Sequence, residues 1–384
     1  MTDRKLRSVT WHLTRVSHNT HWIFVRLQLD DGSEGCGEAS LNGQEDAVLV
    51  AARRLHSRIL SACAADPGAF ALANVPIDLP QAAVVSAVDQ ALWDLHGKAA
   101  ASTVAQLLGG VCRSRVGVYA NINRRTLLRT PEGFARSARD ALAAGHTAFK
   151  LAPFDAVSLE RCVAGEGVQA MQAGLACIAA VRGSIGPQCR LMVDCHWRFD
   201  EASARALIQA CAEWNIHWIE CPLPERHSNI AALVRLRKLA NTRGIRLAGL
   251  EQGIRYDAFH PYCEAGAYDV MMPDVKYIGG LQEMLRAAER FAHQGVAFSP
   301  HNPTGPVCHA ASLQMAAAAP AFDLLEMQFD ESPLFLNLID GDFGPVVDGQ
   351  CDFSPAAGLG VRLRADVLAG TEAPRAAPAG PATM

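Results

Sequence analysis

From Arg115 onward the chain repeats one unit: a short apolar or β-branched run ending in a polar residue, then a longer stretch with apolar residues three and four apart. The runs are VGVYANI (from Val116), TAFKLA (Thr147), RLMVDCH (Arg190), HWIECP (His217), RLAGLE (Arg246), YDVMMPD (Tyr268), VAFSPH (Val296) and FDLLE (Phe322). Between them lie segments such as EASARALIQACAEW, IAALVRLRKLA and LQEMLRAAERFAHQG, all with helical spacing. Strands alternating with helices imply right-handed βαβ crossovers and a parallel sheet, and eight such units in succession match a closed α/β barrel of the (β/α)₈ type over residues 115–340. An open doubly wound sheet would carry a glycine-rich phosphate turn after an early strand, and none is visible.

The preceding residues, 1–114, have a different texture. Trp22 to Leu29 alternates as a strand, Asp31-Gly32 marks a hairpin turn, and Gly35 to Glu38 resumes the pairing. Gln44 to Ala64 is helical, and a second helix runs from about Pro80 to Ala99 with Val84, Val88, Ala91, Leu92 and Leu95 on one stripe and Gly97 near its end. Residues 372–384, rich in Pro and Ala and without periodicity, are expected to be disordered.

Composition narrows the function. With 384 residues, 50% of them hydrophobic, and a net charge of −4, the chain is expected to be globular, and the lack of a basic cluster argues against nucleic acid. Twelve cysteines without a C-x-x-C pair indicate neither a zinc site nor a disulfide framework, and suit a reducing cytoplasm. The N-terminus has no apolar core of a secretory signal, and no later run is long enough to span a bilayer, so a soluble, cytoplasmic protein without a membrane partner is expected.

In a (β/α)₈ barrel chemistry sits at the C-terminal ends of the strands. Here strand 2 ends at Lys150, strand 3 at Asp194 and His196, strand 4 at Glu220, strand 5 at Glu251, strand 6 at Asp274, strand 7 at His301 and strand 8 at Glu326. Asp194, Glu220 and Glu251 come from consecutive strands, and three converging carboxylates call for a hard divalent cation, best met by one Mg²⁺. Strands 3 and 7 are opposite on a ring of eight, which lets His196 and His301 face a substrate from two sides. Asp274 neighbours His301 and can fix its tautomer as a general base. The set suits removal of the proton α to a carboxylate, with Lys150 and Glu326 reaching the enediolate oxygens; Glu326 is expected to be protonated so that it can donate. His12, His56 and His293 are expected to be ordinary surface or capped residues.

These residues stand in stretches that together resemble the enolase superfamily, specifically its mandelate racemase branch: QALWDLHGKAAASTVAQLLGG (from Gln90), AFKLAPFD, MVDCHWRFD, WIECPLPE, AGLEQ, YDVMMPDVKYIGG, SPHNPTGPVCHAASL and Leu324-Leu325-Glu326. The resemblance implies that residues 1–114 form an α+β cap over the barrel mouth, to which a segment 341–371 returns. It assigns Asp194, Glu220 and Glu251 to Mg²⁺, Asp274 and His301 to the acid/base dyad, and Glu326 to enolate stabilisation. It also implies that a cap loop with His18, Asn19, Thr20 and His21 covers the substrate. Members that use strand 2 as a base tend to have Lys-x-Lys, whereas this chain has Lys150-Leu151-Ala152. Its Asp194-x-His196 is instead similar to sugar-acid dehydratases of the galactonate type.

The expected reaction is dehydration of an aldonate or aldarate to a 2-keto-3-deoxy acid, with His301 taking the C2 proton and His196 protonating the leaving 3-OH. Asn121, Asn123, Arg124, Arg125, Arg198 and Asn302 are candidates for distal substrate contacts. Two other readings stay open: a racemase or epimerase with His196 and His301 as opposed bases, and a non-catalytic binding protein. A small polyhydroxy acid is the expected partner, with self-association into a homo-oligomer.

Overall fold

The structure, a computed structural model, describes residues 5–368, so the expected disorder of 372–384 lies outside the described residues. The chain begins with a three-stranded antiparallel sheet, β1 (Leu6–Arg15), β2 (His21–Leu29) and β3 (Glu34–Glu38). The strand β1 is an addition to the sequence reading. Its polar His12 and Thr14 are buried while Val9, Trp11 and Leu13 are only half-buried, which blurs the apolar-in alternation a strand normally shows. His12, expected to be an ordinary surface or capped residue, is 3% exposed.

Two helices, Glu45–Leu60 and Leu79–Ala99, pack on this sheet. The second is buried nearly all round rather than along one stripe, because the sheet covers one side and the barrel the other. Its polar residues do the docking. Ser86 Oγ accepts from Gly279 N at 3.0 Å, Asp89 Oδ2 from Leu281 N at 2.7 Å, and Gln90 Nε2 donates to Val275 O at 3.3 Å. Gly97 is not the helix terminus; a Cβ there would lie 2.7 Å from Gly358 Cα, so glycine permits the close crossing of the two segments.

The barrel strands are β4 (Arg115–Asn121), β5 (Ala148–Leu151), β6 (Arg190–Asp194), β7 (Ile216–Glu220), β8 (Arg246–Gly249), β9 (Val270–Met271), β10 (Ala297–Phe298) and β11 (Leu325–Gln328). They are parallel neighbours in that order, with β11 beside β4. A bridge between Phe298 and Phe322, with Asp323 N donating to Phe298 O at 2.9 Å, joins β10 to the start of β11 and closes the ring. Strands β9 and β10 are short because Pro273 and Pro300 follow them, and proline has no N–H to continue a ladder.

After β11 the chain adds β12 (Ile339–Asp340), β13 (Gln350–Asp352) and β14 (Arg362–Leu363). Strand β13 runs antiparallel along the first half of β4, after which Leu359 N reaches Asp94 Oδ1 of the Leu79–Ala99 helix at 2.9 Å. The C-terminal segment therefore touches barrel and cap in turn. Among the described residues no helix is long and apolar enough to cross a membrane, and all twelve cysteines are unpaired.

Candidate active site

The period of two along a strand builds the site. Tyr119, Ala148, Met192, Trp218, Ala248, Val270, Met272 and Leu324 form one apolar cluster that plugs the barrel, with Tyr119 and Trp218 edge to face at 5.5 Å. Two residues further on, and so on the same inward face, stand Asn121, Lys150, Asp194, Glu220, Asp274 and Glu326. The plug excludes water from below, leaving these groups a floor of low polarity.

Asp194, Glu220 and Glu251 are all buried, and one ligand atom from each lies within 4.8 Å of the others. Three oxygen donors this close, with burial pushing Glu220 up to about 8 against the pull of Lys150, fit a small hard cation that lets all three ionise together. Glu251 reaches the cluster through a turn in which Leu250 has φ 69°.

Lys150 Nζ is 2.6 Å from Glu220 Oε1 and 2.9 Å from Glu326 Oε1, with the lysine 1% exposed. It links the metal cluster to Glu326. The carboxylate of Glu326 also accepts from Asn121 Nδ2 at 2.7 Å and Asn302 N at 2.9 Å. Every one of these partners donates. Burial favours the neutral acid, but Lys150 and His301 outweigh it and hold Glu326 below the usual carboxylate range. That direction runs opposite to the protonated acid expected beside a bound substrate: without substrate, every neighbour of Glu326 favours the carboxylate. Glu326 also sits second in β11 rather than at the strand end.

His301 and Asp274 lie beyond β10 and β9, joined by a backbone bridge and by Nδ1 to Oδ2 at 2.8 Å. The other ring nitrogen faces the carboxylates, 3.4 Å from Glu251 Oε2 and 3.9 Å from Glu326 Oε2. Burial opposes a charge on His301, but Glu251, Glu326 and Asp274 together raise its pKa. Sequence reasoning gave no role to Lys276, which is fully buried against Asp274 and 3.2 Å from Thr304 Oγ1. The only signal for it was Asp274-x-Lys276 at a strand end. Glu38 of the cap was also missed: it is buried, accepting from Gly305 N at 2.8 Å and Cys308 N at 2.9 Å at the start of the Pro306–Ala318 helix.

His196 stands on the strand opposite His301, but its ring is folded onto Asp194, with Nε2 at 2.8 Å from Oδ2 and the backbone N–H on Oδ1 at 2.9 Å. Asp194 raises its pKa to about 9 against a partial loss of hydration. At 45% side-chain exposure it is far more open than His301 at 11%.

The candidates for distal contacts each have a partner inside the protein, while Asn302 Oδ1 is buried without a hydrogen-bond partner. Asn121 holds Glu326, Asn123 Nδ2 donates to Asn121 Oδ1 at 2.8 Å, Asn302 Nδ2 bonds His309 at 3.0 Å, and Arg198 donates to Phe154 O at 2.7 Å. Arg124 pairs with Glu331 and Arg125 with Asp140 and Asp330. His21 lies 3.5 Å from Glu45; His18 is exposed in a loop whose Ser17 Oγ meets Glu331 at 3.4 Å.

Two family profiles match: "Mandelate racemase / muconate lactonizing enzyme, N-terminal domain" over residues 2–109 and "Enolase C-terminal domain-like" over residues 133–367. The chain is 29% identical over 358 residues to a D-gluconate dehydratase of Thermoproteus tenax, covering 90% of this chain and 69% of that one. It is 26% identical over 369 residues to a D-galactonate dehydratase of Xanthomonas axonopodis pv. citri, covering 93% and 92%. Among solved structures, a mandelate racemase/muconate lactonizing enzyme from Jannaschia sp. CCS1 superposes with TM-score 0.84 at 22% identity, covering 97% of this chain and 99% of that one. A member of the enolase superfamily from Salmonella Typhimurium gives 0.84 at 22% identity, covering 96% and 98%.

Proposed function

The chain belongs to the mandelate racemase/muconate lactonizing enzyme family of the enolase superfamily, and on that footing we propose that it is a Mg²⁺-dependent dehydratase of a polyhydroxy acid, an aldonate or an aldarate. The observation that carries the proposal is the orientation of His301: Nδ1 is engaged by Asp274, so Nε2 is the atom turned toward Glu251 and Glu326. The names of the gluconate and galactonate dehydratases support the substrate class.

Mg²⁺ held by Asp194, Glu220 and Glu251 supplies the positive charge that lets a substrate carboxylate take on a second negative charge. The protein's own groups do the rest. His301 Nε2 removes the C2 proton. Glu326 and Glu220 aim the Lys150 ammonium, whose remaining hydrogen donates to the enediolate oxygen. His196, hydrogen-bonded to Asp194, gives a proton to the 3-OH as the C3–O bond breaks and water leaves. The enol left behind tautomerises to the 2-keto-3-deoxy acid.

The test is a stereochemically complete panel of aldonates and aldarates with Mg²⁺, assayed for 2-keto acid, with H301N as the blank. At least one substrate is expected to react with the wild type and none with the variant. A wild-type enzyme inert to the whole panel refutes the assignment.

A further inference from the structure

We propose that Glu225 is a positioning residue of the metal site, a single carboxylate that holds in place the turn bearing Glu251 and the turns that follow Asp194 and Glu220. It lies in the loop after β7, five residues past Glu220. Its Oε1 accepts from Leu250 N at 2.6 Å and from Tyr268 OH at 2.9 Å, and its Oε2 accepts from the indole Nε1 of Trp197 at 2.9 Å. Leu250 adjoins Glu251, and Trp197 follows Asp194 by three residues. One side chain thus ties together the loops after β6, β7 and β8, the strands that supply Asp194, Glu220 and Glu251.

These turns need holding. Four non-glycine residues in them have left-handed backbones: His196 at φ 46°, Trp197 at 59°, Cys221 at 45° and Leu250 at 69°. A left-handed backbone is disfavoured for any residue with a Cβ and persists only where its surroundings fix it. Packing supplies little of that constraint on the outer side, where a cavity of about 500 Å³ is lined by Trp197, Glu225, Leu250 and Tyr262 among others. On the inner side the fit is tight: a Cβ on Gly249 would stand 2.4 Å from Glu225 Oε1 and 2.7 Å from Tyr268 Cζ.

The chemistry demands a carboxylate. Four donors converge on two oxygens, the three above and Cys221 Sγ at 3.8 Å from Oε1, and only an acceptor-only group satisfies all of them. Glutamine in the same place turns its amide N–H₂ toward either the Trp197 indole or the Leu250 and Tyr268 donors, and one side of the clasp opens. The inference rests on the Mg²⁺ reading above, since it concerns the geometry of that donor set. Partners that orient metal ligands are worth about 10–100-fold in metal affinity.

The experiment is Mg²⁺ titration calorimetry of the purified wild-type protein, E225Q and W197F, with far- and near-UV circular dichroism of each metal-free protein. E225Q is expected to weaken Mg²⁺ binding about 10–100-fold, with unchanged far-UV and altered near-UV signals as the Trp197 indole loses its acceptor. W197F, which removes one donor and leaves Glu225, is expected to weaken binding severalfold. Turnover by E225Q is expected to show a raised Mg²⁺ requirement with kcat recovered at saturating metal. An E225Q that binds Mg²⁺ as tightly as the wild type overturns the proposal. Should E225Q not fold, W197F with unchanged affinity overturns it equally. A wild-type protein that binds no divalent cation instead defeats the metal reading itself, a distinct outcome from wild-type binding that Glu225 does not influence.

Discussion

Asp274 and His301 are coupled twice, once through a parallel backbone bridge and once through Nδ1 to Oδ2 at 2.8 Å. The bridge fixes where the ring starts and the hydrogen bond fixes which nitrogen is left over. For D274N the carboxylate that keeps the proton on Nδ1 is gone, so Nε2 is no longer reserved as the acceptor. D274N and H301N are expected to lower kcat by about 10²–10⁴-fold with KM changed far less. Steady-state kinetics checks this; a D274N enzyme within threefold of wild type contradicts the dyad.

Glu326 offers a sharper test, because all of its partners donate. In E326Q an amide N–H₂ must face either the Lys150 and Asn121 donors or the Asn302 N–H, a buried conflict worth about 1–3 kcal/mol. A lower melting temperature and a kcat reduced about 100-fold are expected. K150M goes further, since it leaves Glu220 and Glu326 buried without their cation, and a cost of about 3–5 kcal/mol follows. Thermal unfolding of the three proteins gives the ranking; E326Q melting above the wild type would show that Glu326 is a neutral donor after all.

Much of this site was legible in the sequence because strand-end position and residue type are both local. Lys150, Asp194, Glu220 and Asp274 were placed by the alternation alone, and the structure sets them one pleat above the barrel plug. What the sequence hid was partnership. The charge of Glu326 is set chiefly by Lys150 and His301, and its hydrogen bonds come from Asn121 and Asn302, partners that nothing local to Glu326 in the sequence reveals. Lys276, Glu38 and Glu225 went unseen because a lone charged residue at a strand end or in a loop carries no signal of burial. The strand β1 was missed for the converse reason, as its polar residues face inward.

Three buried carboxylates around one point destabilise the metal-free fold. Mg²⁺ is expected to raise the melting temperature, by the equivalent of about 2.7 kcal/mol when the free ion is 100 times its Kd, and a chelator to reverse it. Differential scanning fluorimetry across a Mg²⁺ series reads this directly. A melting temperature indifferent to both Mg²⁺ and chelator contradicts the assignment of Asp194, Glu220 and Glu251.

Acid should unfold the protein through two imidazoles outside the chemistry. Burial lowers His146 to about 4 and His309 to about 3, so both are neutral when folded. In the unfolded chain each takes a proton near its ordinary value of 6.5. Their contribution is therefore intact above about pH 6.5 and is lost as pH falls toward 4, on the order of a few kcal/mol in all. H309Q, which cannot titrate, is expected to flatten the acid limb of a melting-temperature profile between pH 8 and 4. An unchanged limb would place the acid sensitivity elsewhere.

The most direct measurement is proton NMR of a reactive aldonate or aldarate with enzyme and Mg²⁺ in D₂O. Loss of the C2–H signal together with the appearance of a 3-deoxy product carrying one solvent deuterium at C3 is the predicted result. Deuterium entering C2 with every C–O bond intact would instead make His301 and His196 the opposed bases of a racemase or epimerase, and would contradict dehydration.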